Sequence, residues 1–295
     1  MVIYLGMVSG IFATFLWALF PALCKLVLVN LSPYQFLILR YGISFGFLMF
    51  LSPRVFKYFH KIPMSSWALI FVMASLHNAT QALCLTEVPV FWYVLFFSCS
   101  PILTYFLFPG HRHCSNYAYL FLAVLGTYVF IDIQTIPNAP SGLSLFYLFL
   151  SVVSWAFLTR VMIVFHEIYT DFEVSYILNG SNFLIAILLF FLFTEETISN
   201  INWSETITPL VLISITSPLA IVLFSKSLRI VPTFCIASQY IELFFGLVIG
   251  YVLFQESPTS YQVLGSAFII AALIGTTKRT IREKSRLSQD TSLQI

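Results

Sequence analysis

Residues 230–256 read IVPTFCIASQYIELFFGLVIGYVLFQE, and between Arg229 and the closing Glu256 the run holds a single charged residue, Glu242. A helix through this run places the Glu242 carboxylate near the midplane of a bilayer, whose hydrocarbon core takes about 20 apolar residues to cross. An ionisable group at that depth costs about 2.5–3.5 kcal/mol on insertion scales, so it faces protein or a water-filled cavity and marks a functional site by default.

The rest of the chain has the same character. Of its 295 residues, 59% are hydrophobic and 9% charged, and the mean hydropathy is +0.93. Soluble domains carry about 25% charged residues, so the composition is that of an all-α integral membrane protein. A net charge of +2 without interleaved basic residues excludes a nucleic-acid partner. Cys24, Cys84, Cys99, Cys114 and Cys235 are scattered with no metal-ligand spacing, which reads as packing and leaves no metal or cofactor expected. No phosphate-binding glycine loop is present, so ATP is not expected to drive the protein. The N-terminus lacks a basic region and a cleavage pattern and reads as a retained first span.

Ten apolar runs can be marked off, at about 3–29, 34–52, 66–86, 88–108, 117–133, 143–165, 174–194, 207–227, 232–254 and 260–277. With the N-terminus cytoplasmic, Arg54, Lys57, Lys61, Arg112, Lys226, Arg229, Lys278, Arg279, Arg282, Lys284 and Arg286 all fall on the inner side, and the outer loops hold no Lys or Arg. Cytoplasmic loops concentrate such residues, so both termini are expected inside, in a bacterial inner membrane. Trp17-Ala18 recurs as Trp155-Ala156, Val88-Pro89 as Val231-Pro232, and the Tyr105–Phe108 ending as Tyr251–Phe254. The common order predicts two five-span repeats, 3–133 and 143–277, followed by a basic and polar tail, 278–295, read as a disordered cytoplasmic end that leans on anionic lipid. Five spans is an odd number, so the repeats are inverted, an arrangement that places a transporter's substrate site where the halves meet.

These residues resemble the drug/metabolite transporter superfamily, EamA type. The resemblance rests on Gln239-Tyr240-Ile241-Glu242, Gly246, Gly250, Phe254-Gln255-Glu256 with Pro258, and Gly265, with Arg40 and Pro101 in the first half. It implies ten spans in two five-span repeats and transport of a small molecule rather than catalysis. The first repeat departs from the pattern, with Phe108-Pro109-Gly110-His111 where a glutamate matching Glu256 is expected. The ending is similar to that of S-adenosylmethionine transporters of host-dependent bacteria, which implies a cationic or zwitterionic metabolite. An amino acid being exported is the alternative within the family.

Candidate substrate-binding residues follow from their placement. Glu242 reads as a counter-charge for a cation, as a proton carrier, or as a structural carboxyl paired within the bundle. Gln239 lies one helical turn before it, and Gly246 and Gly250 one and two turns after, spacing that suits close helix approach. Tyr240 and Trp17 offer aromatic faces to a cation or flat ring, as do Trp92 and Trp155. His77, Asn78 and Gln81 form the polar cluster of the third span and either line a cavity or bond to a neighbouring helix. Arg40 lies two turns into the second span and suits a substrate carboxylate or an internal acid. Lys25 and Arg160 sit near span ends, where they can snorkel. Pro21, Pro101 and Pro218 are expected to kink their helices. His111-Arg112-His113 reads as an inner-loop anchor.

The expected function is therefore a non-enzymatic secondary transporter working by alternating access, with a small-molecule substrate, the lipid bilayer, and a coupling proton or exchanged metabolite as partners. A membrane-embedded lipid-modifying enzyme is the alternative of another class, and the scatter of Glu87, Asp132, Glu195, Glu196 and Glu205 argues against it. A scaffold or receptor would leave the mid-membrane polar residues dispensable.

Overall fold

In hydrocarbon a backbone must satisfy its own hydrogen bonds, and an apolar chain without barrel alternation does so as helices. The computed structural model describes residues 2–51, 64–88, 90–107, 114–131, 140–166, 168–193, 201–254 and 258–292. Within them the regular elements are all α-helices: α1 (Val2–Ala18), α2 (Phe20–Leu28), α3 (Pro33–Leu51), α4 (Met64–Glu87), α5 (Val90–Phe97), α6 (Ser100–Phe106), α7 (Cys114–Phe130), α8 (Gly142–Phe165), α9 (Asp171–Phe193), α10 (Trp203–Ile230), α11 (Pro232–Ser238), α12 (Ile241–Phe254) and α13 (Ser260–Ser292). Among the described residues, eight helical segments are long and apolar enough to cross a membrane. The expected fourth run is occupied by the short α5 and α6, and the fifth by the apolar helix Tyr117–Phe130. This is a multi-pass membrane protein.

Three helix starts carry the same device. Ser32 and Gln35 open α3, Thr170 and Glu173 open α9, and Thr259 and Gln262 open α13, each pair exchanging side-chain and backbone hydrogen bonds. Such a capping box satisfies two amide donors that the first turn leaves free.

Two of the three prolines interrupt their helices. The break between α1 and α2 falls just before Pro21, and that between α5 and α6 at Ser98-Cys99, just before Pro101. A proline has no N–H for the carbonyl four residues back and crowds it as well. Pro218 leaves α10 continuous, because the freed Ser214 carbonyl accepts a bond of 2.6 Å from the Ser44 hydroxyl instead. A further break, at Gln239-Tyr240 between α11 and α12, has no proline. Bonds spanning three residues from Gln239 N–H to Ile236 and from Tyr240 N–H to Ala237 tighten the turn there, so the expected continuous run 232–254 is two helices.

The most extensive contacts join α1 to α10, α4 to α8, α3 to α9 and α7 to α13. Gly126 of α7 faces Gly265 of α13 so closely that a Cβ on Gly126 would lie 2.8 Å from the Gly265 carbonyl oxygen. Gly246 does not act this way: a Cβ there meets nothing within 4 Å and the residue is exposed, so its helical spacing from Glu242 places it on an outer face. Large side chains such as Phe50, Phe121 and Phe191 cover the outside, as a lipid-facing surface requires.

The C-terminal segment also departs from expectation, for α13 runs on to Ser292. Its Lys, Arg, Glu, Leu and Gln residues are good helix formers, and no Gly or Pro stops a helix already nucleated in the preceding apolar turns. Lys25 is exposed in the last turn of α2, Arg160 is half-buried, and Cys24, Cys84 and Cys235 are buried free thiols. Arg54, Lys57, Lys61, Arg112, the Phe108–His113 stretch, Asp132, Glu195, Glu196 and Glu256 lie outside the described residues, as do the surroundings of Gly250.

Candidate functional site

The helix breaks surround a cavity of about 720 Å³, counting the space at its mouth. Eight of the expected residues line it: Trp17 from α1, Arg40 from α3, His77, Asn78 and Gln81 from α4, Trp155 from α8, Gln239 from the turn after α11, and Glu242 from the first turn of α12. Tyr240 lies apart, buried at the wall of a neighbouring cavity of about 380 Å³ that shares Gln239 and Glu242 with the first.

The α4 cluster both lines the cavity and bonds across helices. His77 Nδ1 lies 3.0 Å from the Ser151 carbonyl on α8, a partner that only accepts, so Nδ1 carries the proton and Nε2 is left as an acceptor. Asn78 donates to Asn182 on α9 at 2.9 Å and accepts from the Tyr41 hydroxyl on α3. Gln81 donates to the Tyr93 hydroxyl on α5. Trp155 on α8 donates from its indole to Gln239 at 3.1 Å. These side chains are therefore held in place before anything binds.

An aromatic wall completes the site. Trp17 meets Trp155 edge to face at 5.3 Å between ring centroids, and Tyr93 stacks on Phe97 at 4.4 Å. Trp155 in turn lies 5.1 Å from the His77 ring.

The two charged residues stand differently from the rest. Arg40 is 5% exposed and gives one hydrogen bond, from Nη2 to the Ser217 hydroxyl at 2.8 Å. Its Nε and Nη1 are buried without an acceptor. The guanidinium lies 4.5 Å from the Phe20 ring centre and 4.7 Å from that of Tyr41. Such contacts are worth about 0.5–2 kcal/mol each, whereas removing a charge from water costs several kcal/mol. The aromatic faces therefore only partly offset the burial of Arg40. Among the described residues the ion pair is Arg229 with Asp171, whose carboxylate His166 Nδ1 also approaches at 3.7 Å, so Arg40 has no internal acid beside it. Glu242 likewise has no ion pair or side-chain hydrogen bond among the described residues.

Several lining residues were not among those expected. Asn182 belongs to the polar run Asn179-Gly-Ser-Asn182, an interruption of the seventh span as plain as that of His77 in the third. Tyr41 adjoins Arg40, and Ser217 adjoins Pro218. Phe20, Tyr93, Phe97 and Ile221 carry no signal that separates them from the chain's other apolar and aromatic residues. Among the described residues no group of three His, Cys, Asp or Glu side chains is placed to hold a metal.

A solved crystal structure of a protein shares this fold, with a TM-score of 0.76 at 16% identity over 94% of this chain and 98% of that one. No curated protein sequence matches the chain. Residues 142–278, in the second half of the chain, match the EamA-like transporter family.

Proposed function

We propose that the chain is a secondary transporter that carries a small organic metabolite across a bacterial inner membrane by alternating access. The observation that carries this reading is the cavity that gathers Trp17, Arg40, His77, Gln239 and Glu242 from both halves of the chain, with Arg40 and Glu242 unpaired among the described residues. S-adenosylmethionine, with its carboxylate, ammonium, sulfonium and flat adenine, has the charges and the ring that such a wall suits. An amino acid or similar exported metabolite is the second substrate reading. A proton or an exchanged metabolite drives the cycle.

The architecture proposed for it is ten spans in two inverted repeats, 3–133 and 143–277, with both termini and the tail 278–295 cytoplasmic. Four features support it. Trp17 and Trp155, the equivalent residues of the repeated Trp-Ala pair, touch each other, as residues near a two-fold axis do. The capping boxes at Ser32 and Thr170 stand the same sequence distance apart as those tryptophans. Contacts of α1 with α10 and of α4 with α8 are the same pair of equivalent spans taken in reverse. The family match over 142–278 nearly coincides with the second repeat. In this scheme the breaks at Ser98-Cys99 and Gln239-Tyr240 fall in equivalent spans, and irregular backbone at that depth belongs beside a site.

The test is uptake of labelled S-adenosylmethionine and amino acids into proteoliposomes by the native chain and by Glu242→Gln. Substrate-specific uptake by the native chain that falls at least tenfold in the variant is expected. Unchanged uptake in Glu242→Gln removes this residue from the mechanism, and no flux of any compound favours an enzyme or a scaffold.

A further inference from the structure

The cavity has a basic and an acidic side chain on different walls, and among the described residues neither has an ion-pair partner. Arg40 presents its guanidinium from α3 and Glu242 its carboxylate from α12, and although both line one space they form no ion pair. Arg40 is fixed by the Ser217 hydroxyl and by the rings of Phe20 and Tyr41, yet Nε and Nη1 have no acceptor. A buried polar group without a partner is destabilising, and the natural partner of a guanidinium is a carboxylate. Two charges that attract each other but are held apart by a braced bundle form a site for a molecule that carries the complementary pair.

We infer that the cavity binds a zwitterion in one orientation, with its carboxylate at Arg40, its positive charge at Glu242, and an apolar or aromatic body between them against Trp17 and Trp155. This rests on the transporter reading for its physiological meaning but not for its geometry. It has a consequence for selectivity: a cation without a carboxylate leaves the Arg40 guanidinium as it is and adds nothing to that wall. An anion without a cation leaves Glu242 alone in the same way. Polyamines, choline-like cations and simple carboxylic acids are therefore poor ligands, while a ring-bearing amino acid or S-adenosylmethionine satisfies both walls.

The experiment compares compounds that differ by one charge. Equilibrium binding to the purified native chain is measured for L-tyrosine, tyramine and 3-(4-hydroxyphenyl)propionate, and for S-adenosylmethionine and its decarboxylated form. For whichever zwitterion binds, loss of either charge is expected to weaken binding at least tenfold. In Arg40→Gln the penalty for losing the carboxylate disappears and that for losing the cation remains; in Glu242→Gln the reverse holds, and Arg40→Lys keeps part of the carboxylate preference. The native-chain comparison stands without any variant having to fold. Tyramine or decarboxylated S-adenosylmethionine binding as tightly as its parent overturns the inference, and so does an Arg40→Gln chain that still prefers the carboxylate. Uptake of the same compounds into liposomes keeps the two readings separate. Flux without charge selectivity overturns the inference alone, charge-selective binding with no flux overturns transport alone, and binding of none overturns both.

Discussion

Ser44→Ala tests how α10 crosses the bundle without breaking. Pro218 has no N–H, so the Ser214 carbonyl lacks its helical donor, and the Ser44 hydroxyl supplies one from α3 at 2.6 Å. Ser44 and Ser214 are both fully buried, so no water replaces the bond. Leaving a buried carbonyl unsatisfied costs about 1–3 kcal/mol, while interhelical side-chain bonds in membranes average about 0.6 and reach about 1.7 kcal/mol. Ser44→Ala is therefore expected to destabilise the fold by about 1 kcal/mol. Pro218→Ala returns an N–H to the helix, and the Ser214 carbonyl then has a donor of its own. In that background Ser44→Ala should cost less than half as much, a coupling of about 0.5–1 kcal/mol. Reversible unfolding by SDS titration in mixed micelles of the four chains gives the cycle. Equal costs in both backgrounds, within the roughly 0.3–0.5 kcal/mol by which independent sites add, would refute the account of the proline.

Other substitutions probe other contacts. Gly265→Ala has no room, because the backbone of Gly126 and Phe130 already occupies the space; α7 and α13 must part, and a loss of about 2–4 kcal/mol is expected in the same titration. Gly246→Ala, on an open face, should change stability by less than about 0.5 kcal/mol. Trp155→Phe removes the indole bond to Gln239 and should weaken substrate binding about threefold to tenfold without unfolding the chain, as read by binding and by gel filtration. His166, just after α8, is buried beside Arg229, and burial first and that guanidinium second push its pKa down to about 4. The unfolded chain takes up its proton near pH 6.5 and the folded chain does not until about pH 4. Stability should therefore fall by about 2–3 kcal/mol as pH drops through that window. His166→Gln should flatten the slope in thermal unfolding followed against pH, and an unchanged slope would place the titrating group elsewhere.

Membrane class was legible from composition, because too few charges remain to solvate a surface. The site was legible to the extent that polar residues are conspicuous in an apolar chain: Arg40, His77, Asn78, Gln81 and Glu242 stand out in their runs, and the fold brings them to one cavity. The aromatic part was not, since 18% of the residues are Phe, Trp or Tyr and nothing in the sequence says which face inward. The turn at Gln239-Tyr240 was hidden for a related reason, for neither residue is a helix breaker and the tightening shows only in the backbone bonds from Gln239 to Ile236 and from Tyr240 to Ala237. Gly246 shows the opposite error, in which helical spacing places a residue on a face but leaves open what that face meets.

The most direct measurement follows the cavity's access from each side of the membrane. Ile221 lines the cavity and bonds to nothing polar there, so Ile221→Cys, in a chain with its five native cysteines replaced, reports exposure with little disturbance. A membrane-impermeant thiol reagent is applied to each face of oriented proteoliposomes, with and without a saturating zwitterion. Alternating access predicts modification from either face at rates that trade against each other as conditions favour one state, with protection by the bound compound. Full-rate modification from both faces at once would mean a channel, and modification from a single face under every condition would contradict transport altogether.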